Sequence, residues 1–321
     1  MHLARLKELI PTTFYAKLTL GVVLCEALIV IILESLISND YHGIKNKTEG
    51  LSKGIPVYLI IFVFSQVFNA ILILDALIQQ NTIQIIGFAI SNLCLFFFAV
   101  IQFNQIRDTL GDLEGFEPIR LKLIGVTVVT SLTECVYCYL GFMLYKEFGW
   151  SIYKKIGADP RMKTMYRTYQ VFLMLLKLDI LFFLGFSIQF LVLVLQQGDI
   201  EYPLTIMAIP LTVVILFIAG WSVRHESRAM MGVFLFGLLC GVVYFCYKIR
   251  RMYDPTQAHK YENIIKFLTT YAAMSLAALT LTFANACMCW RNFGKGLKQH
   301  LLRTNGTIQL SSSSQRIMSI E

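Results

Sequence analysis

Eight apolar runs constrain this 321-residue chain, each of about the 20 residues that a helix needs to cross a hydrocarbon core. Backbone N–H and C=O groups find no water in hydrocarbon, so such runs cross as helices that satisfy their own hydrogen bonds. They fall at about 18–37, 56–78, 83–103, 121–145, 171–195, 203–223, 229–247 and 266–288. Only 15% of residues are charged and 56% are hydrophobic, whereas a soluble domain averages about 25% charged. The expected fold is all-α: an integral membrane bundle of eight transmembrane helices over residues 18–290. A short N-terminus, 1–17, precedes it and a polar tail, 291–321, follows. The tail carries "SSSSQR", and its composition predicts disorder.

An even number of spans puts both termini on one side. The loops and ends on that side carry 16 Lys and Arg, and the opposite loops carry 9. The positive-inside rule therefore predicts that both termini are cytosolic. Asn46-Lys47-Thr48 is a glycosylation sequon in what becomes the first luminal loop, and Asn305-Gly306-Thr307 falls in the cytosolic tail. The first run carries Glu26 and Glu34 and lacks a small-residue cleavage pattern, so it is expected to stay as a span. The net charge of +8 has no basic, aromatic-interleaved layout, so membrane lipids and not nucleic acid are the expected partners. No internal repeat is apparent.

The segment "YKEFGWSIYKKIGADPRMKTMYRTYQVF" is the most distinctive polar stretch. It reads as a basic cytosolic loop, 146–170, with Lys154, Lys155, Arg161, Lys163 and Arg167, before a long fifth helix. Trp150, Ile152, Tyr153 and Ile156 suit a short interfacial turn. Asp159 and Pro160 suit the N-cap and first position of the next helix. From Pro160 to Leu195 such a helix is about 54 Å long, several turns more than the hydrocarbon needs.

"GWSIYKKIGADPRMKTMYRTYQVF", running into "LLKLDILFFLGFSIQF", resembles a family of uncharacterised fungal Golgi-apparatus membrane proteins, most specifically over about residues 145–195. The resemblance implies a Golgi or related endomembrane location. It brings no activity, ligand or catalytic residue.

Ionisable residues inside spans are the default candidates for function. Glu26 and Glu134 lie near mid-span, Glu134 on a face with Thr130, Tyr137, Cys138 and Gly141. They suggest a polar cavity between helices one and four, against the plainer reading of two protonated carboxyls acting as packing glue. Glu34 is placed nearer the luminal interface. Lys177 and Asp179 are 200° apart around the fifth helix, so they need separate partners. Asp75 sits at a matching depth in span two, and Lys177–Asp75 is the expected ion pair. The candidate intramembrane polar site is thus Glu26, Glu134, Asp75, Lys177 and Asp179.

Cys135-x-x-Cys138 lies within a span and lacks the further ligands of a zinc or redox site. Cys287 and Cys289, beside Trp290 and Arg291, are candidates for palmitoylation. Gly237-x-x-x-Gly241, and the face formed by Ala273, Ala277, Thr280 and Ala284, are read as helix-packing surfaces; Pro210 is read as a kink. The five histidines all fall outside the spans, and no nucleophile elbow, zincin motif, P-loop or dinucleotide fingerprint is present. No metal, cofactor or catalytic set is expected. The leading expectation is a small-molecule, ion or lipid binding or transport protein. A trafficking or scaffold role through the basic loop and tail is the alternative, and an integral-membrane enzyme comes last.

Overall fold

A computed structural model describes residues 13–45, 54–111, 115–156, 160–194, 201–254 and 265–296. Eight helices appear among them: α1 Phe14–Lys45, α2 Gly54–Gln79, α3 Thr82–Leu110, α4 Phe116–Ile156, α5 Pro160–Leu193, α6 Glu201–His225, α7 Arg228–Met252 and α8 Ile265–Asn292. All eight are long and apolar enough to cross a membrane. Each predicted span has its helix, and most helices run past the apolar stretch. Helical hydrogen bonds continue into the interfacial region, whereas an apolar run marks only the hydrocarbon.

The 146–170 segment shows this most clearly. It is helical over its described length: α4 continues to Ile156, and α5 begins at Pro160. The expected loop and interfacial turn are therefore replaced by the ends of two helices. The proposed cap Asp159 lies outside the described residues, as do the side chains of Lys154 and Lys155. At 41 residues, α4 is about 61 Å long, so the α4–α5 hairpin outruns the hydrocarbon by several turns.

The α2–α3 connection is as tight as its sequence requires. Gln80 takes a left-handed φ of 52°. Asn81 then caps α3, its side chain accepting from the Ile83 N–H at 3.0 Å.

The helices form two four-membered rings. In the first unit α1 packs on α2 and α4, and α3 closes the ring against both. In the second, α5 packs on α6 and α8, and α7 closes it. The neighbour order is the same in both. They meet mainly where α5 touches α2 and α3, with α8 reaching α3. Aromatic rings fill that seam: Phe98 of α3 lies 3.9 Å from Phe267 and 4.3 Å from Tyr271 of α8, centroid to centroid. Large apolar side chains on the outer faces, such as Leu121, Leu132, Phe217 and Phe236, are exposed, as a lipid-facing surface should be.

Glycine sets two of the closest helix approaches. A Cβ at Gly185 would sit 2.5 Å from the Tyr271 ring, and one at Gly87 would sit 2.5 Å from the Met174 side chain. Gly237 and Gly241 have only ordinary contacts, at 3.5 Å from Ile215 and Leu279. On α8 the predicted packing face is corrected by about one residue. Ala273, Ala277, Thr280 and Ala284 are exposed; Ala272, Ser275, Ala278, Thr282 and Ala286 are buried. Both stripes are small, and the large residues Phe267 and Tyr271 decide which one faces inward. Helix α6 continues through Pro210. Lys248, counted with a loop in the sequence, sits buried on α7 with its ammonium 3.9 Å from the Phe190 ring centroid.

Candidate functional site

The first four-helix unit holds a polar layer near mid-span. Glu26 of α1, 2% exposed, accepts a hydrogen bond from the Tyr137 hydroxyl of α4. Gln66 of α2 and Thr133 of α4 lie beside it, and Glu134 is near enough for the two carboxyls to interact electrostatically. Glu134 accepts from Asn92 Nδ2 of α3 at 3.1 Å. Ser91 Oγ, one residue earlier, donates to Asn69 Oδ1 of α2 at 2.7 Å. All four helices contribute. Helical spacing explains the grouping: Thr130, Thr133, Glu134 and Tyr137 recur at three- and four-residue intervals, which keeps them on one side of α4.

The layer is only partly satisfied. Asn69 Nδ2 and Asn92 Oδ1 are buried and have no hydrogen-bond partner among the described residues, and Glu26 Oε1 and Gln66 Nε2 are buried on neighbouring side chains without a well-formed bond. Buried polar atoms in native structures nearly always find partners, and a half-satisfied network is costly in a low dielectric. Next to the layer, at the seam between the units, lies a cavity with room for about one water. Ser91 and Cys94 line it from α3, Ser65 from α2 and Tyr271 from α8.

The five candidate residues do not converge. Glu26 and Glu134 share the mid-span layer. Lys177 of α5 forms the expected ion pair with Asp75 of α2, and Gln79 Nε2 adds a bond to Asp75 at 2.7 Å. Asp179 points the other way, as the 200° separation requires, and accepts from Thr282 Oγ1 of α8 at 2.6 Å. Its other oxygen, Oδ1, is buried without a partner. Glu34, expected nearer the interface, is fully buried and held by Gln102 Nε2 at 3.3 Å. At the far end of α1, Asp40 pairs with Lys122 of α4.

The signal overlooked in the sequence is amide placement. Gln66, Asn69, Asn92 and Gln102 all fall inside spans, and weighing charges alone passes over them. Elsewhere, Arg161, Lys163 and Arg167 are exposed on the first turns of α5. Cys289 is buried, with its thiol 3.8 Å from the Thr168 carbonyl oxygen, and Cys287 is half-buried. Asn46 lies outside the described residues. Among the described residues no group of three or more His, Cys, Asp and Glu side chains could hold a metal ion.

A family model described as a domain of unknown function (DUF7789) matches residues 156–290, which is nearly the whole of the second unit. A UPF0658 Golgi apparatus membrane protein of Schizosaccharomyces pombe is 31% identical over 314 residues, covering 88% of each chain. No solved structure matches. The fungal relative spans both four-helix units, and the resemblance over the α4–α5 hairpin points the same way. This chain belongs to the UPF0658 family of Golgi apparatus membrane proteins.

Proposed function

We propose that this Golgi membrane protein binds or transports a small molecule, ion or lipid at the mid-span polar layer of its first unit, with no catalysis of its own. The observation that carries this reading is the set of buried, unpartnered atoms around Glu26. A layer that served packing alone would gain most by closing its own hydrogen bonds. Here Asn69 Nδ2 and Asn92 Oδ1 are left open, and Glu26 Oε1 and Gln66 Nε2 stand side by side without closing a good bond. We further propose that both termini face the cytosol, on the strength of the Lys and Arg distribution.

The test is to purify the protein from native Golgi membranes and identify co-purifying small molecules and lipids by mass spectrometry. Wild type should retain a species that Glu26→Gln and Glu134→Gln both lose. Glu134 is half-buried, so its variant serves even if Glu26→Gln folds poorly. Equal retention by wild type and both variants refutes the proposal.

A second reading draws on the exposed Arg161, Lys163 and Arg167 of the projecting hairpin, a surface suited to acidic partners or headgroups in trafficking. Neutralising these three should leave ligand retention intact. Losing it there, while the glutamate variants keep it, would favour the hairpin.

A further inference from the structure

Two exposed tryptophans mark the headgroup level at the end where α6 turns into α7 and α8 stops. They are Trp221 of α6, stacked on His225, and Trp290 of α8. Exposed tryptophan settles at the membrane–water interface. The contacts of α5 with α8 run antiparallel, from Gly185–Tyr271 to the Thr168 carbonyl, 3.8 Å from the Cys289 thiol. Arg167 is therefore level with Trp290. Arg161 stands six residues further out on α5, about 9 Å along the helix. It is seven residues from Thr168, so it keeps the face turned to α8. Since α8 ends at Asn292, Arg161 overhangs that end.

The end of α8 is a fixed place. Phe293 is buried, and the Gly294 N–H donates to Glu226 Oε2 of the α6–α7 turn at 2.9 Å. A Cβ at Gly294 would sit 4.0 Å from the Arg228 guanidinium of α7. Lys295 follows, its ammonium 3.3 Å from Asn292 Oδ1. Arg161, Arg228 and Lys295 are all exposed, and so are Arg224 and Arg291 nearer the tryptophans. Topology explains the sign of these residues, and the α8 dipole favours a cation at its end. Neither explains their convergence from α5, α7 and the end of α8.

We propose that the end of α8 binds the headgroup of a phosphorylated inositol lipid from the adjoining leaflet. The height of the cations selects it. A phospholipid diester lies near the tryptophans, at the level of Arg224 and Arg291. A phosphate monoester on an inositol ring stands further out, where Arg161, Arg228 and Lys295 are, and carries about −1.5 to −2 charges. Guanidinium forks match phosphate oxygens in pairs. Phosphatidylserine would turn its own ammonium toward these cations, and phosphatidic acid has no charge at the outer level. The proposal rests on the basic-hairpin reading and names its partner; the mid-span layer plays no part in it.

The experiment uses the full chain in detergent micelles with added dioleoyl lipids and reads bound lipid by native mass spectrometry. Phosphatidylinositol monophosphate should bind about tenfold tighter than phosphatidylserine or unphosphorylated phosphatidylinositol. Arg161→Gln, Arg228→Gln and Lys295→Gln should each weaken it about fivefold, and together on the order of a hundredfold. Arg107→Gln, Arg120→Gln and Arg250→Gln together, a matched change of exposed residues at the opposite end, should leave it unchanged. Equal unfolding temperatures of the two triple variants show that both fold.

Equal affinity for phosphatidylserine overturns the inositol assignment. Equal weakening by the two triple variants reduces the effect to net charge and overturns the site. A soluble glycerophosphoinositol phosphate that binds as tightly as the lipid overturns the membrane source, and polyglutamate bound in place of lipid assigns the surface to an acidic protein. Glu26→Gln and Glu134→Gln should bind the inositol lipid as wild type does, so failure here leaves the mid-span reading standing. If neutralising Arg161, Lys163 and Arg167 misroutes a protein that binds no such lipid, the hairpin reading survives and this inference alone falls.

Discussion

Replacing Lys177 with alanine leaves the Asp75 carboxylate without its cation at the contact between α2 and α5. The two side chains are 29% and 38% exposed, which puts the pair between a surface bridge and a buried one. Exposed pairs contribute about 0–1 kcal/mol, and breaking a buried pair costs about 3–5 kcal/mol. A double-mutant cycle with Lys177→Ala and Asp75→Ala, followed by thermal unfolding in detergent, should give a coupling on the order of 1–2 kcal/mol. Strict additivity would show that the pair contributes nothing. This contact was legible in the sequence, because residues counted from the same membrane face share a depth and Lys177 had one acid at its level. The polar layer was legible in its acids and along α4, where Thr130 and Tyr137 share the Glu134 face, but not in its amides. Asn and Gln cost less to bury than Asp and Glu, so Gln66, Asn69 and Asn92 do not stand out until their helices are assembled.

Between elements, the decisive residues are the two glycines at tight crossings. Gly185→Ala drives a methyl into the ring of Tyr271, which is buried and stacked edge-on against Phe98. Gly87→Ala meets the flexible end of Met174 instead. Overpacking of a rigid neighbour costs about 1–3 kcal/mol, so Gly185→Ala should lower the unfolding temperature clearly more than Gly87→Ala. The reverse order would mean that the α5–α8 crossing yields more easily than the contact of α3 with α5. Sequence spacing pointed instead to Gly237 and Gly241, and to the wrong stripe of α8. A small side chain permits close approach without enforcing it, and alanine facing lipid costs little. Only the bulky neighbour across the interface shows which small residue is needed. Helix existence, by contrast, was fully legible, since the hydrocarbon requires each crossing to be helical.

At the scale of the whole molecule, orientation is the open quantity with the most direct readout. An N-glycosylation acceptor inserted within 255–264 should be modified and one appended after residue 321 should not, as read by a glycosidase-sensitive shift on a gel. The opposite pattern would invert the proposed orientation and place the basic α4–α5 hairpin in the lumen. The ring order of the two units was not legible at all, because no sequence repeat announces it. The units still share one motif. A buried acid on the first helix is held by a hydroxyl on the last: Glu26 by Tyr137, and Asp179 by Thr282.

Helix α5 is keyed on opposite flanks, by Lys177 to α2 and by Asp179 to α8. One residue of roll is 100° and would break both attachments together. A sliding motion against either neighbour would tear the other. The two keys therefore couple α2, α5 and α8, so that α5 does not shift against one neighbour without disturbing its contact with the other. Helices α1 and α4, which carry Glu26 and Glu134, are not tied by either key.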